Sequence, residues 1–220
     1  MSDDETALIA RIAARYARRE HRSYARGKLR WDPVFREIGP MLAASPRALL
    51  DVGCGLGLLG QYLRGHGFRA RYLGIDLDAQ KIDEARIAAQ HGLDLEFATG
   101  PATSLPAFRG DVALIDVLHY LPAADQQIAL AEAAARVAPG ALLVIRNVVR
   151  ERTWRFRATV VEEHFIRALR WMRYPATHYP ERLEIEAPLR AAGFSIEVKP
   201  LWGHTPFNSY LFIARRDGAA

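Results

Sequence analysis

Ala48-Leu49-Leu50-Asp51-Val52-Gly53-Cys54-Gly55-Leu56-Gly57 decides the fold. The apolar run through Val52 reads as a buried strand ending in an acid. Three alternating glycines follow, and then a helical pattern from about Leu58 to Gly65. Glycine belongs where a backbone must take positive φ or let a ligand come close, and a helix start presents unpaired N–H groups. The segment is therefore expected to hold a small molecule against backbone.

Outward from this turn, strand and helix alternate. Strands are predicted near 48–52, 71–76, 94–98, 111–117 and 141–146, with helices near 57–65, 78–91, 103–107 and 123–137. Short connections of this kind imply right-handed crossovers and a parallel sheet. Two further strands, near 194–200 and 207–215, close the chain as a hairpin-like pair. Before the core, Leu8, Ile9, Ile12 and Tyr16 predict an amphipathic helix from about Glu5 to Arg19. A polar linker through Arg30 follows. Asp32-Pro33 then opens a second helix reaching about Leu42. No internal repeat or long linker interrupts the chain. One domain is expected, with N-terminal helices (1–45), a ligand-binding core (46–147), a mostly helical lid (148–192) and closing strands (193–220).

Half of the 220 residues are apolar and a quarter charged, as in soluble globular proteins. No apolar run approaches the roughly 18 residues that span a bilayer. The acidic start Met1-Ser-Asp-Asp-Glu-Thr lacks the basic and apolar regions of a secretory signal, so a cytoplasmic location is expected. The single cysteine, Cys54, excludes an intramolecular disulfide and a cysteine-built metal site, and no metal is expected. The net charge of +5 comes largely from two arginine-rich blocks, Arg11–Arg30 and Arg146–Arg173. Such blocks suit nucleic acid, an acidic carrier protein, an anionic substrate or a membrane surface, or are merely a solvated basic face.

In open parallel sheets, ligands bind beyond the carboxyl ends of the strands, where strand order reverses. Four such ends carry suitable residues: the glycine turn, Asp76 about 20 residues beyond it, Phe97-Ala-Thr99-Gly-Pro-Ala102, and Asp116-Val-Leu-His119-Tyr120. An acid at Asp76 can accept both hydroxyls of a ribose. Together these ends outline a nucleoside-shaped slot. The dinucleotide pattern G-x-G-x-x-G is also met, by Gly55-Leu56-Gly57-Leu58-Leu59-Gly60. It lies too deep in the helix, because the strand already ends at Asp51. An acid before the first glycine also repels a pyrophosphate but welcomes an ammonium or sulfonium.

Asp51-x-Gly53-x-Gly55-x-Gly57 followed by Asp76 resembles the cofactor signature of class I S-adenosylmethionine-dependent methyltransferases. The likeness covers about residues 46–147 and extends through Ala191-Ala-Gly193-Phe194 and Asn208–Ala214. Asp116-Val-Leu-His119-Tyr-Leu-Pro122 and Val137-Ala-Pro-Gly140 are similar to segments common in that family. The resemblance implies a three-layer Rossmann-like α/β fold. Its seven-stranded sheet is mostly parallel with an antiparallel last strand, and it carries a helical N-terminal extension and a helical lid.

It also implies S-adenosylmethionine as cofactor and S-adenosylhomocysteine as product. By the resemblance, backbone around Gly53, Cys54, Gly55 and Gly57 meets the methionine part. Asp51 lies beneath its amino group, Asp76 takes the ribose, Leu77 packs on the adenine, and Asp116 lines the slot. Where many members read Gly-Asp-Ala, this chain reads Gly100-Pro101-Ala102. The acid that contacts the adenine amine is absent, leaving Thr99 or the backbone at Ala102 for that role. Tyr24 and Lys28, in the linker before the core, are expected near the methionine carboxylate.

For catalysis the candidate bases are His119, His164, His178 and His204, with His119 favoured because it follows the fourth strand. The expected substrate contacts are Tyr120, Arg146, His164, Trp171 and His204. Arg146-Asn147 either fixes a substrate anion or carbonyl or pairs with a nearby carboxylate. Trp154, Phe165, Trp171, Tyr174, Tyr179, Trp202 and Phe207 line an aromatic pocket or simply pack.

The expected reaction is methyl transfer to an oxygen or carbon nucleophile of a small aromatic or acyl metabolite. Tyr24–Phe35 and Thr205–Ser209 look loosely similar to methyltransferases of bacterial aryl-polyene-type pigment clusters. That suggests secondary metabolism and an acyl group on an acidic carrier protein. The alternatives are an RNA or DNA methyltransferase and a non-catalytic cofactor- or partner-binding domain. The fourth-strand segment is not the Asn/Asp-Pro-Pro-aromatic type used on base nitrogens, and no RNA-binding appendage is recognisable.

Overall fold

The computed structural model describes residues 2–90, 92–159, 176–203 and 207–216. The chain packs as two compact units, Met1–Ala102 and Thr103–Ala220.

The first unit opens with α1 (Asp3–Ala14), where the Ser2 side chain accepts from the Glu5 amide and acids fill the first turn. It buries Leu8, Ile9, Ile12 and Ala13. The segment expected as a linker is instead a helix, α2 (Arg19–Trp31). Only Ala25 and Leu29 are buried along it, one helical turn apart, so its apolar stripe is too narrow to stand out from the polar residues around it. In α3 (Val34–Ala43), Asp32 caps the start by accepting the Val34 amide at 3.0 Å.

β1 (Leu49–Val52), α4 (Leu58–Gly65), β2 (Tyr72–Asp76), α5 (Ala79–Ala89) and β3 (Glu96–Thr99) follow in the predicted alternation. β1 and β2 pair in parallel with Asp51 opposite Gly74, and β2 and β3 pair with Asp76 opposite Thr99.

The second unit holds β4 (Asp111–Ile115), a 3₁₀ turn (Leu118–Tyr120), α6 (Ala123–Arg136), β5 (Leu142–Val148), α7 (Arg182–Ala191), β6 (Phe194–Pro200) and β7 (Ser209–Arg216). The helix expected at 103–107 is absent; the segment is a run of turns and bends. Side chains of α6 hold it in that form. Leu105 donates its amide to Glu132 at 2.8 Å, and its carbonyl accepts from Arg136 at 2.6 Å. In the expected lid, the described residues 154–159 and 182–191 are helical, and residues 176–181 are not.

The seven strands form one sheet in the order β3-β2-β1-β4-β5-β7-β6. β7 pairs antiparallel with both β5 and β6, so it alone runs against the rest. The expected Rossmann-like arrangement is present. None of the described helices is long and apolar enough to cross a membrane.

Gly57 shows how tightly the diagnostic turn is specified. Its φ is +72°, and a Cβ there would lie 2.6 Å from two ring carbons of Phe97. Left-handed backbone costs a non-glycine residue roughly 1–2 kcal/mol, and overpacking adds roughly 1–3 kcal/mol. Gly57→Ala is expected to lower the free energy of urea unfolding by about 2–4 kcal/mol. An unchanged midpoint would show that Phe97 yields freely.

Candidate active site

Each unit carries one cluster of the sequence-predicted residues. In the first, Gly53, Gly55 and Gly57 all have positive φ, at 76°, 54° and 72°. This gives the alternating glycines a conformational reason. The turn is fastened along its length. The Gly53 and Cys54 amides both donate to the Ile75 carbonyl, at 2.7 and 3.0 Å, and the Gly57 amide donates to Cys54 at 2.9 Å. The Gly55 amide donates to Asp76 Oδ2 at 2.8 Å. These four donors, which the sequence suggested would face a ligand, are committed inside the protein. These four are not free to hold an anion, and the carboxylates of Asp51 and Asp76 beside them suit a cation better than a phosphate.

Asp51 is 2 % exposed, and its carboxylate accepts the Tyr72 hydroxyl at 2.5 Å. Burial pushes its pKa up to about 7. The Tyr72 hydrogen bond opposes that shift, and the Asp76 charge adds to it. Burial also raises the Cys54 thiol, helped by the charges of Asp51 and Asp76. Cys54 thus stays protonated, and its sulfur packs where a Cβ on Gly74 would sit, at 2.8 Å.

Asp76 is oriented from two sides, since its Oδ1 accepts the Asp78 amide at 2.9 Å. The end of β3 is tied to the same residue, with the Gly100 amide donating to the Asp76 carbonyl at 3.0 Å. The structure therefore groups Asp76, Thr99 and Gly100, with Thr99 exposed and Ala102 partly so. Leu77 stands 58 % exposed beside them. Tyr24 is 42 % exposed on α2, while Lys28 forms an ion pair with Asp32 at 2.6 Å. The ammonium expected to read a carboxylate already holds one of its own.

Tyr16 does more than fill an apolar helix face. Its hydroxyl donates to the Leu56 carbonyl at 2.7 Å and accepts from Gln61 at 2.5 Å. Gln61 in turn accepts from Arg15 at 3.0 Å. A buried tyrosine hydroxyl needs a partner, and that requirement was the signal available in the sequence.

In the second unit, Asp116 takes positive φ (61°), a conformation that aspartate tolerates better than most side chains. Its amide donates to the Arg146 carbonyl at 2.8 Å, and its carboxylate pairs with the Arg146 guanidinium. Of the two readings of Arg146, the structure shows the second, pairing with a nearby carboxylate.

His119 is buried, and its Nδ1 lies 2.9 Å from Asn147 Oδ1. Tyr120 packs on the ring at 4.1 Å between centroids, and Tyr179 lies parallel to it at 6.1 Å. Phe156 meets Tyr179 edge-on at 5.2 Å. Trp202 contacts Tyr210 and the Arg155 guanidinium. His164, Trp171 and His204, together with Phe165 and Tyr174, lie outside the described residues. Among the described residues, no cluster of His, Cys, Asp and Glu could hold a metal ion.

Residues 49–140 match the family described as methyltransferase domain. That stretch is similar to a methyltransferase domain, in keeping with the signature read from the sequence. The fold recurs in magnesium protoporphyrin IX methyltransferase from Synechocystis PCC 6803, solved with bound S-adenosylhomocysteine. That structure is 20 % identical, with a TM-score of 0.67 over 91 % of this chain and 89 % of that one. It recurs in the pyocyanin biosynthetic protein PhzM, at 19 % identity and a TM-score of 0.68 over 93 % of this chain and 60 % of that one. The [4+2]-cyclase SpnF is similar too, at 16 % identity and a TM-score of 0.67 over 98 % and 94 %. At such identities the likeness establishes fold, not substrate. No curated protein sequence matches the chain.

Proposed function

We propose that this methyltransferase moves a methyl group from S-adenosylmethionine to an oxygen or carbon nucleophile of a small aromatic or acyl metabolite, with His119 as general base. One observation carries the cofactor assignment. The amides of Gly53, Cys54, Gly55 and Gly57 are committed internally, and the turn lies between two carboxylates, Asp51 and Asp76. That electrostatic character suits an ammonium and a sulfonium and disfavours a pyrophosphate.

The sulfonium is already an activated leaving group, so much of the catalysis comes from holding nucleophile and methyl in line. Orientation of that kind supplies on the order of 7–11 kcal/mol in ideal cases. The rings of His119, Tyr120, Tyr179 and Phe156 supply an aromatic surface for a flat acceptor. The names of two fold neighbours, one acting on magnesium protoporphyrin IX and one belonging to pyocyanin biosynthesis, point the same way.

A nucleic-acid acceptor has less support. Several arginines of the basic blocks are engaged internally: Arg15 with Gln61, Arg18 with Glu84, Arg22 with backbone carbonyls, Arg146 with Asp116 and Arg150 with Glu181. Such guanidiniums are poorer grips for a phosphate backbone.

Incubating the protein with labelled S-adenosylmethionine and a fractionated cell extract, then identifying the labelled product by mass spectrometry, tests the assignment. Binding of nicotinamide cofactors without binding of S-adenosylmethionine would overturn it.

Asp51 makes a pH prediction. Its folded-state pKa of about 7 lies above the ordinary 3.8, so between those values the folded protein keeps a proton that the unfolded chain has lost. Its contribution to stability therefore falls as pH rises through that window. A bound ammonium reverses the balance by favouring the carboxylate. At about pH 6, S-adenosylhomocysteine binding is expected to release close to one proton. Titration calorimetry in buffers of different ionisation enthalpy measures it, and Asp51→Asn should abolish the release. No proton release from the unsubstituted protein would separate Asp51 from the cofactor's amino group.

A further inference from the structure

We propose that Asn147 is a positioning residue that holds the His119 ring in the tautomer protonated on Nδ1, leaving Nε2 as the nitrogen with the lone pair. The proposal deepens the reading of His119 as base and rests on it for its catalytic meaning.

The hydrogen-bond pattern fixes which way the Asn147 amide faces. Its Nδ2 donates to the Val148 carbonyl at 2.8 Å, a partner that only accepts. Its Oδ1 therefore points at His119, where it also meets the His119 backbone N–H at 3.4 Å, a group that only donates. Both contacts identify the same end of the amide as oxygen, and an amide oxygen cannot donate. The 2.9 Å contact between that oxygen and Nδ1 then requires the proton on Nδ1. A neutral imidazole has one N–H, so the other nitrogen is the base.

Asn147 is itself 0 % exposed, so solvent does not compete for the amide. The turn bearing His119 is equally well held. Gln126 Nε2 donates to the carbonyls of Leu118, Leu121 and His178 at 2.9, 3.0 and 2.7 Å. The His119 carbonyl accepts from the amides of Thr177 and His178, at 2.9 and 3.4 Å. With Tyr120 and Tyr179 beside the ring, its tautomer and its plane are both defined.

The choice of an amide has a chemical meaning. A carboxylate at this position would orient the ring equally well but would also stabilise the imidazolium. A neutral amide sets the tautomer without favouring the charged ring, so the base stays ready to accept.

Nitrogen-15 NMR of the imidazole side chains reads the tautomer directly. In the unsubstituted protein, at a pH where the ring is neutral, His119 is expected to carry its proton on Nδ1; a ring protonated on Nε2 would overturn the proposal without any variant. Asn147→Leu, close in size, should shift the population toward the Nε2–H form and lower kcat by about 10²-fold, within the range a general base supplies. KM and S-adenosylhomocysteine affinity should change little. Asn147→Asp keeps an acceptor and should retain the Nδ1–H form, a rescue that packing alone does not explain. An unchanged tautomer in the leucine variant would refute the role. A tautomer that switches while methyl transfer is untouched would leave Asn147's hold on the ring standing and would remove His119 as the base.

Discussion

His119→Gln is expected to lower kcat by about 10²–10⁴-fold, the contribution of a general base when the nucleophile must lose a proton. Glutamine keeps much of the ring's length and polarity but cannot take up a proton near neutral pH. The residue's surroundings support the assignment. The ring is buried, bonded at Nδ1 and packed against Tyr120. The residues proposed to hold the cofactor, Asp51, Gly55 and Asp76, bond within another part of the chain, among themselves and to Tyr72 and Asp78. S-adenosylhomocysteine affinity should therefore stay within about twofold, a change of less than roughly 0.5 kcal/mol. Single-turnover transfer to the labelled acceptor, beside calorimetric titration with S-adenosylhomocysteine, makes the comparison. Transfer at the unsubstituted rate would mean that the acceptor ionises unaided or that another group takes the proton.

Asp76→Ala is expected to weaken S-adenosylhomocysteine binding by about 10²–10⁴-fold. The carboxylate already accepts the amides of Gly55 and Asp78 at 2.8 and 2.9 Å. With roughly four acceptor positions on its two oxygens, it keeps capacity for two ribose hydroxyls. Each hydrogen bond to a charged group contributes about 1.5–3 kcal/mol, so losing two gives the quoted range. Alanine also leaves the Gly55 amide without its acceptor, which loosens the turn itself. Asp76→Asn separates the two effects, since it retains an acceptor for Gly55 at reduced strength and should fall between alanine and the unsubstituted protein. Equal affinity in all three would remove the ribose role.

The parts legible in the sequence are those written in local pattern. The strand ending at Asp51, the helix Leu58–Gly65 and the acid closing the second strand all follow from periodicity and from glycines whose φ proves positive. The helix Arg19–Trp31 is not legible because two buried residues, Ala25 and Leu29, give too weak a periodic signal. Residues 103–107 failed for a different reason: Glu132 and Arg136, far along the chain, bind that backbone from the side. The same holds for the site. Tyr16 reaches Leu56 across 40 positions and His119 reaches Asn147 across 28, distances at which no spacing rule operates. Arg146 was legible as a charge near the site, but its partner Asp116 is set by the pairing of β4 with β5.

The bond from Tyr16 to Leu56 makes the N-terminal helical segment a gauge of the glycine turn. Two groups joined by one hydrogen bond share their fluctuations, and by reciprocity whatever quiets one quiets the other. Amide exchange along α1 should then slow when a ligand seats at the turn. Occupancy of the turn becomes visible at the opposite end of a single phenolic oxygen, with no acceptor and no turnover required.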